Sequence, residues 1–380
     1  MHPTALAHLR TAFQTHIDQG LFPGAVALIH HQGRTVLHEA WGRLGPQADA
    51  PAMAPDALFR IYSMTKPIAS LVALMLMEEG RLLLSHPVSH YLPAFRTPQF
   101  VQAPDGSRSP ATREATVHDL LRHTAGLSYA WDTGPVADLY RSARVGSRKH
   151  SNQELATAIA PLPLLHPPGT CWEYSRATDV LGAVIEAVEG APLSAVLHQR
   201  VFGPLDMHET SFALPPGTGH RLAEPFARDP ITGAGVLLND VSAPARFESA
   251  GGGLVSTAPD YARFLQLLLG RGTLHTANGP VRLAGRSTVD FMTADHLGAL
   301  PRAGTLLPEG YGFGLGVAVR LATGQATRPG SAGHYSWSGM GGTVFFVDPA
   351  EDLFAMVLTQ APGQLQYLCE WFPSLVYAGL

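Results

Sequence analysis

Along the first twenty residues, apolar positions recur with a helical period. Leu6, Leu9, Phe13 and Ile17 lie three or four apart, which predicts a surface helix packed on a core through one face. Two β-rich runs follow, Gly24-Ala-Val-Ala-Leu-Ile-His30 and Thr35-Val-Leu-His-Glu-Ala-Trp-Gly42, on either side of His31-Gln-Gly-Arg34. Such runs around a short glycine-containing turn predict a hairpin, with His30 and His31 at its turn. The far end of the chain reads alike. Gly312–Arg320, Gly342–Val347 and Leu353–Leu358 predict short apolar strands, with a turn at Asp348-Pro-Ala-Glu-Asp352. A last helix, from about Gly363 to Tyr377, is expected to be interrupted at Pro373.

The middle of the chain has a different texture. Ile68–Gly80, Val117–His123, Asn152–Ala160, Ala177–Glu189 and Ser256–Gly270 read as helices separated by Pro/Gly-rich loops. Thr257-Ala-Pro-Asp260 supplies a capping hydroxyl, an early proline and a first-turn acid. Strands at both ends with helices between them predict an α/β (α+β) fold. One antiparallel sheet is built from both termini and flanked by helices, and a mostly helical region is inserted between its strands. The expected division is a discontinuous sheet unit, 1–60 with 305–380, and a helical unit, 61–304, with an active site between them. The chain has no internal repeat and no low-complexity tract.

Composition narrows the class. Of 380 residues, 46% are apolar and 15% charged, enough for a large core and against disorder. The net charge is −4, and basic residues are scattered apart from Arg141, Arg144, Arg148 and Lys149, so nucleic acid is not an expected partner. The first ten residues lack the charged start and apolar stretch of a secretory signal. The most apolar helix is cut short by Glu78, Glu79 and Gly80, so no membrane partner is expected. Two cysteines, Cys171 and Cys369, make no disulfide scaffold, which points to a reducing, cytoplasmic setting. No activating pattern surrounds Cys171.

Of the 26 basic residues only Lys66 and Lys149 are lysines, and Lys66 stands three positions after Ser63. Ser-x-x-Lys carries a mechanism: a serine nucleophile with an amine within reach of its proton. A helix beginning at or just before Ser63 puts both residues on one face, one turn apart, with Pro67 in the tolerant first turns. The following residues are apolar nearly all round, so the helix should be buried. Desolvation and the positive end of the helix dipole both disfavour the ammonium form, which fits Lys66 to accept the serine proton. The backbone N–H of Ser63 is a candidate oxyanion donor. Taken alone, the spacing fits an N-capping serine before a surface lysine equally well.

Other signals carry less. Eighteen histidines include no His-Glu-x-x-His, and His118 and His123 are poorly spaced for a metal on a helix, so no metal or cofactor is expected. No Gly-x-Ser-x-Gly elbow and no phosphate-binding loop is present. Gly251-Gly-Gly253 reads as backbone packing in a tight passage.

The surroundings of Ser63 carry a family likeness. Phe59-Arg-Ile-Tyr62-Ser63-Met-Thr-Lys66-Pro67, then Glu78-Glu79-Gly80-Arg-Leu and Pro87-Val-Ser-His-Tyr-Leu-Pro93, resemble the start of the serine β-lactamase and penicillin-recognising superfamily, in its class C β-lactamase-like branch. Thr116-Val-His-Asp-Leu-Leu-Arg-His123-Thr-Ala-Gly126-Leu resembles that branch's L-L-x-H-T-S-G-L segment. Pro168-Gly169-Thr-Cys-Trp-Glu-Tyr174-Ser175-Arg176 resembles P-G-x-x-x-x-Y-S-N, with Arg176 in place of asparagine. Phe202–Thr210 and Ala250–Thr257 follow in order, so the likeness spans roughly 20–360. The third element, usually Lys-Thr-Gly or His-x-Gly, falls on Trp337-Ser338-Gly339. That is similar to the Trp-Gly-Gly of family VIII carboxylesterases, with Ser338 as a departure.

The resemblance implies a β-lactamase/transpeptidase-like fold and a catalytic set of Ser63, Lys66 and Tyr174. Oxyanion donors would be the N–H groups of Ser63 and Met340, and substrate contacts would come from Tyr62, Arg176, Trp337, Ser338 and Gly339. A tyrosine, ordinarily near pKa 10, needs a neighbouring cation to act as a base, and Lys66 and Tyr174 are expected to titrate as a coupled unit. Tryptophan at the cation position offers an apolar wall and one N–H, which suits neutral, compact acyl groups. His334 and Arg176 are the two residues that could restore positive charge there.

The expected activity is therefore a serine hydrolase working through an acyl-enzyme, chiefly a carboxylesterase for short acyl esters. The alternatives are a β-lactamase or D-amino-acid peptidase, an acyltransferase, and a non-catalytic penicillin-binding domain.

Overall fold

The computed structural model describes every residue except Pro98, Pro104 and Thr305. The expected boundary between 304 and 305 thus falls on a residue outside that description. The central sheet has seven strands: β1 (Gly24–His31), β2 (Arg34–Gly42), β3 (Tyr311–Phe313), β4 (Ala318–Arg320), β5 (Tyr335–Gly339), β6 (Thr343–Asp348) and β7 (Leu353–Thr359). Their order is β2-β1-β7-β6-β5-β4-β3, every neighbouring pair antiparallel. The two termini meet where β1 pairs with β7, Val26 opposite Leu358 and Leu28 opposite Met356.

Both faces of this sheet are covered, which explains why its strands read as continuous apolar runs. Ala25, Ala27 and Ile29 face one side with Leu353, Ala355 and Val357. There they meet helix α1 (Pro3–Asp18) and the C-terminal helix through Leu9, Phe13, Leu368 and Phe372. Val26, Leu28, Phe354, Met356 and Leu358 face the other side, into the core shared with the helical region. That region holds α2 (Thr65–Glu78), α3 (Val117–Leu121), α4 (Asn152–Ile159), α5 (Ala177–Glu189) and α6 (Ala258–Leu269). Helix α2 is buried continuously from Thr65 to Leu76, as its all-round apolar sequence requires. Thr257 caps α6 through the backbone N–H of Asp260.

Four expectations need correction. The Gly312–Arg320 run is two strands, β3 and β4, folded back on each other. Gly316 lies in the turn at φ +96°, and a side chain there would run into Ser70 of α2. The C-terminal helix α7 (Leu365–Tyr377) passes through Pro373 without interruption. Proline removes the N–H that would bond the Cys369 carbonyl, and Arg328 Nη1 takes that carbonyl instead at 2.7 Å. His30 and His31 are not at the hairpin turn. They end β1, His30 stacked on Phe354, and the turn is Gln32 and Gly33, both at positive φ. Helix α3 stops at Leu121, and His123 beyond it is left-handed at φ +57°.

Candidate active site

Ser63 and Lys66 are brought together by one continuous turn. Tyr62–Met64 form a 3₁₀ turn that runs directly into α2. Tyr62 before the serine stands at φ +43°, a conformation that disfavours side chains, and its phenol accepts the Asn239 N–H at 2.9 Å. Burial pushes the Tyr62 phenol up. Lys66 is fully buried. Its Nζ donates to Ser63 Oγ at 3.1 Å, to the Tyr129 hydroxyl at 3.3 Å and to the Gly251 carbonyl at 2.6 Å. An ammonium has three hydrogens, and each has a protein acceptor here.

Tyr174 arrives from the loop before α5. Its hydroxyl lies 2.7 Å from Ser63 Oγ, and Lys66 Nζ lies 4.6 Å from its ring centre. The turn that places it leans on His123, whose ring packs on Tyr174 at 4.8 Å. His123 Nδ1 accepts the Ser175 N–H at 3.3 Å. Full burial, with the Lys66 charge beside it, pushes His123 well below the usual imidazole range, so it is neutral and free to accept.

A second layer fixes these groups. Asp179, in the first turn of α5, accepts from Arg176 Nη1 at 2.9 Å, Ser249 Oγ at 2.6 Å and the Gly251 N–H at 2.9 Å. The Gly251 carbonyl then meets Lys66. Gly251 must lack a side chain, because a Cβ would press on the Asp179 carboxylate. Arg176 is thereby an orienting residue with its charge paired. It also covers the rings of Tyr129 and Trp131 at 5.1 and 5.3 Å.

On the opposite wall, Trp337 of β5 packs against Tyr174 at 5.3 Å and Phe313 at 5.2 Å. His334 does not restore a cation here. Burial holds it down to about 3, and its Nδ1 is engaged with the Tyr377 hydroxyl at 2.8 Å. Gly339 touches the Ile61 backbone and lines neither cavity of the site, whereas Met340 is half exposed beside Ser63 and its N–H has no partner among the described residues. Two cavities lie at the site and share Tyr129 and Trp131 in their linings. One of about 270 Å³ is lined by Tyr62, Ser63, Arg176 and Met340, the other of about 670 Å³ by Tyr174, Trp337 and Ser338.

The family description that matches is Beta-lactamase, over residues 9–378. The chain belongs to the beta-lactamase family. Within that family it is 34% identical to Esterase EstB of Burkholderia gladioli, over 93% of this chain and 90% of EstB. It is also 34% identical to Protein Rv1367c of Mycobacterium tuberculosis, over 90% of this chain and 87% of that protein. Among solved structures of the fold, EstCE1, described as a hydrolase with promiscuous acyltransferase activity, superposes with a TM-score of 0.81. The match has 28% identity and covers 99% of this chain and 98% of EstCE1.

Several residues of this beta-lactamase-family site escaped the sequence. Tyr129, two positions past the Gly126-Leu127 segment, carries no motif of its own. Asp179 looks like an ordinary first-turn acid. Gly251 was legible as a tight passage but not as the holder of Lys66. Among the described residues no single helix is long and apolar enough to cross a membrane.

Proposed function

We propose that this chain is a serine carboxylesterase acting on short acyl esters through an acyl-enzyme on Ser63. The observation that carries it is the convergence of Lys66 Nζ and the Tyr174 hydroxyl on one serine oxygen, at 3.1 and 2.7 Å. Ser63 Oγ bonds to the acyl carbon while its proton passes to whichever member of the Lys66–Tyr174 pair is in its basic form, the neutral amine or the phenolate. The N–H groups of Ser63 and Met340 receive the developing oxyanion. The ester C–O bond breaks and the alcohol leaves with a proton from Tyr174. Water then repeats the sequence and releases the acid.

An esterase reading, over a β-lactamase or D-amino-acid peptidase, is supported by Trp337 where relatives place a cation, by the neutrality of His334, and by the likeness to EstB and EstCE1. Acyl transfer to an alcohol is a second outlet of the same acyl-enzyme, favoured by the printed description of EstCE1. The sheet unit (1–60 and 305–380), the helical unit (61–304) and the site between them remain part of the proposal. So does a cytoplasmic location, in keeping with two free cysteines.

The purified protein should hydrolyse p-nitrophenyl butyrate far faster than nitrocefin, and Ser63→Ala should abolish both. Full activity in Ser63→Ala would sink the site assignment.

A further inference from the structure

The two oxyanion donors come from segments far apart in the chain. Ser63 lies in the 3₁₀ turn before α2, and Met340 opens the turn between β5 and β6. A developing oxyanion gains most from N–H groups already aimed at it, so one turn must be fixed against the other. Two contacts begin that work. Gly339 is pressed on the Ile61 peptide so closely that a Cβ would run into the Ile61 carbonyl oxygen, and Thr343 Oγ1 donates to the same oxygen at 3.4 Å. Both end at the Ile61–Tyr62 peptide, one short of the peptide that carries the Ser63 N–H.

Tyr62 spans the remaining step. Its carbonyl carbon is bonded to the Ser63 nitrogen, and its backbone stands at φ +43°, which a bulky residue holds only where its surroundings over-determine it. Two contacts do so here. The buried ring lies on Gly341, where a Cβ would come within 2.9 Å of its Cδ2 and 3.0 Å of its Cε2. The hydroxyl accepts the Asn239 N–H at 2.9 Å. Both seats are themselves anchored. The Gly341 carbonyl accepts the Ala361 N–H at 2.7 Å, and the Gly342 N–H closes the turn on the Gly339 carbonyl at 2.9 Å. The Asn239 carbonyl accepts from Arg60 Nε at 2.6 Å, and the Arg60 guanidinium is paired with Glu224 at 2.9 Å.

Resting on the esterase reading, we infer that Tyr62 is a positioning residue for the oxyanion hole. Its ring bears on the turn that carries the Met340 N–H. Its phenol, tied to Asn239, holds the left-handed backbone that aims the Ser63 N–H. One side chain therefore sets both donors and acts on the reaction only through them. The wall that Tyr62 forms beside Ser63 follows from that seat. Without the bond to Asn239 the Tyr62 backbone is free to relax toward the right-handed conformation of the turn that follows, and the Ser63 N–H turns with it.

The test loosens each seat separately. Tyr62→Phe keeps the ring on Gly341 and leaves the Asn239 N–H without its acceptor. Gly341→Ala keeps the phenol and drives a Cβ against the ring. Each should lower kcat and kcat/KM for p-nitrophenyl butyrate together, by about tenfold or more, short of the roughly 10²–10³-fold that follows loss of a whole oxyanion donor. The shape of the pH profile should not change, because Lys66 and Tyr174 are untouched. Propyl trifluoromethyl ketone supplies a readout that lost packing alone would not move. Ser63 Oγ adds to its carbonyl carbon, the serine proton passes to the Lys66–Tyr174 pair, and the carbonyl oxygen becomes an oxyanion in the same hole. Its inhibition constant should rise by about the factor by which kcat/KM falls.

Thermal midpoints report that the variants are folded, and Tyr62→Phe, which adds no atom, keeps the test open if Gly341→Ala does not fold. A rise in KM with kcat unchanged in Tyr62→Phe would make Tyr62 a substrate contact and overturn the positioning role. So would an inhibition constant for the trifluoromethyl ketone that neither variant moves. Ser63-dependent hydrolysis of p-nitrophenyl butyrate by the unaltered chain in either case leaves the esterase reading intact, whereas no ester turnover at all contradicts both.

Discussion

The Tyr174 hydroxyl lies 2.7 Å from Ser63 Oγ although 111 residues separate them in sequence. The 3₁₀ turn leading into α2 carries one and the loop before α5 the other, so the site exists only when those two segments are packed. Removing the phenol oxygen removes one partner of the serine and leaves the ring packed against His123 and Trp337. Tyr174→Phe should therefore lower kcat on p-nitrophenyl butyrate by about 10²–10⁴-fold, the usual reach of general acid–base catalysis, with little change in thermal midpoint.

Asp179 and Arg176 form a buried pair, and breaking one side strands the other. Asp179→Asn should cost about 3–5 kcal/mol in urea unfolding, because the Arg176 guanidinium is left buried without its counter-charge. Replacing both, as Asp179→Asn with Arg176→Met, should cost less than the sum of the single changes. Strict additivity would mean the pair does not act as a unit.

Stability should weaken in mild acid through the buried histidines. Burial pushes His334 down to about 3, and burial with Arg122 beside it pushes His118 down to about 4. An unfolded histidine titrates near 6.5. Between that value and the folded ones the unfolded chain binds more protons, so stability rises with pH and is lost as pH falls. The urea midpoint should drop progressively from pH 7 to pH 4. His118→Gln should flatten the part of that slope between about 6.5 and 4. An unchanged slope would remove His118 from the account.

The unbroken helix α7 makes a paired prediction. Arg328→Met leaves the Cys369 carbonyl without its partner, at a cost of about 1–3 kcal/mol. Pro373→Ala restores an N–H to that carbonyl, so adding it to Arg328→Met should recover part of the loss. No recovery would mean that Arg328 stabilises the helix by some other contact.

Much of this architecture was legible in the chain. The strands β1 and β7 follow from continuous apolar runs, Gly24–His30 and Leu353–Leu358, and the cap at Thr257 and the buried α2 follow from local composition. The Ser63–Lys66 turn was visible because lysine is scarce. What stayed hidden depends on long-range packing. Nothing near Pro373 announces that an arginine 45 residues earlier will rescue its helix, and Gly316 looks like a strand glycine until α2 is placed beside it. The Tyr129 hydroxyl and the Gly251 carbonyl, whose own N–H is held by Asp179, converge on Lys66 from separate segments, and no spacing encodes that meeting. His334 looked like a spare cation because sequence does not report burial.

The account turns on a covalent acyl group at Ser63. Intact-mass spectrometry on protein quenched during turnover of p-nitrophenyl butyrate measures it directly. The predicted result is a fraction of the protein heavier by one butyryl group, mapped to the peptide containing Ser63, absent from Ser63→Ala and discharged as substrate runs out. Turnover with no adduct at any quench time, and undiminished in Ser63→Ala, would contradict it.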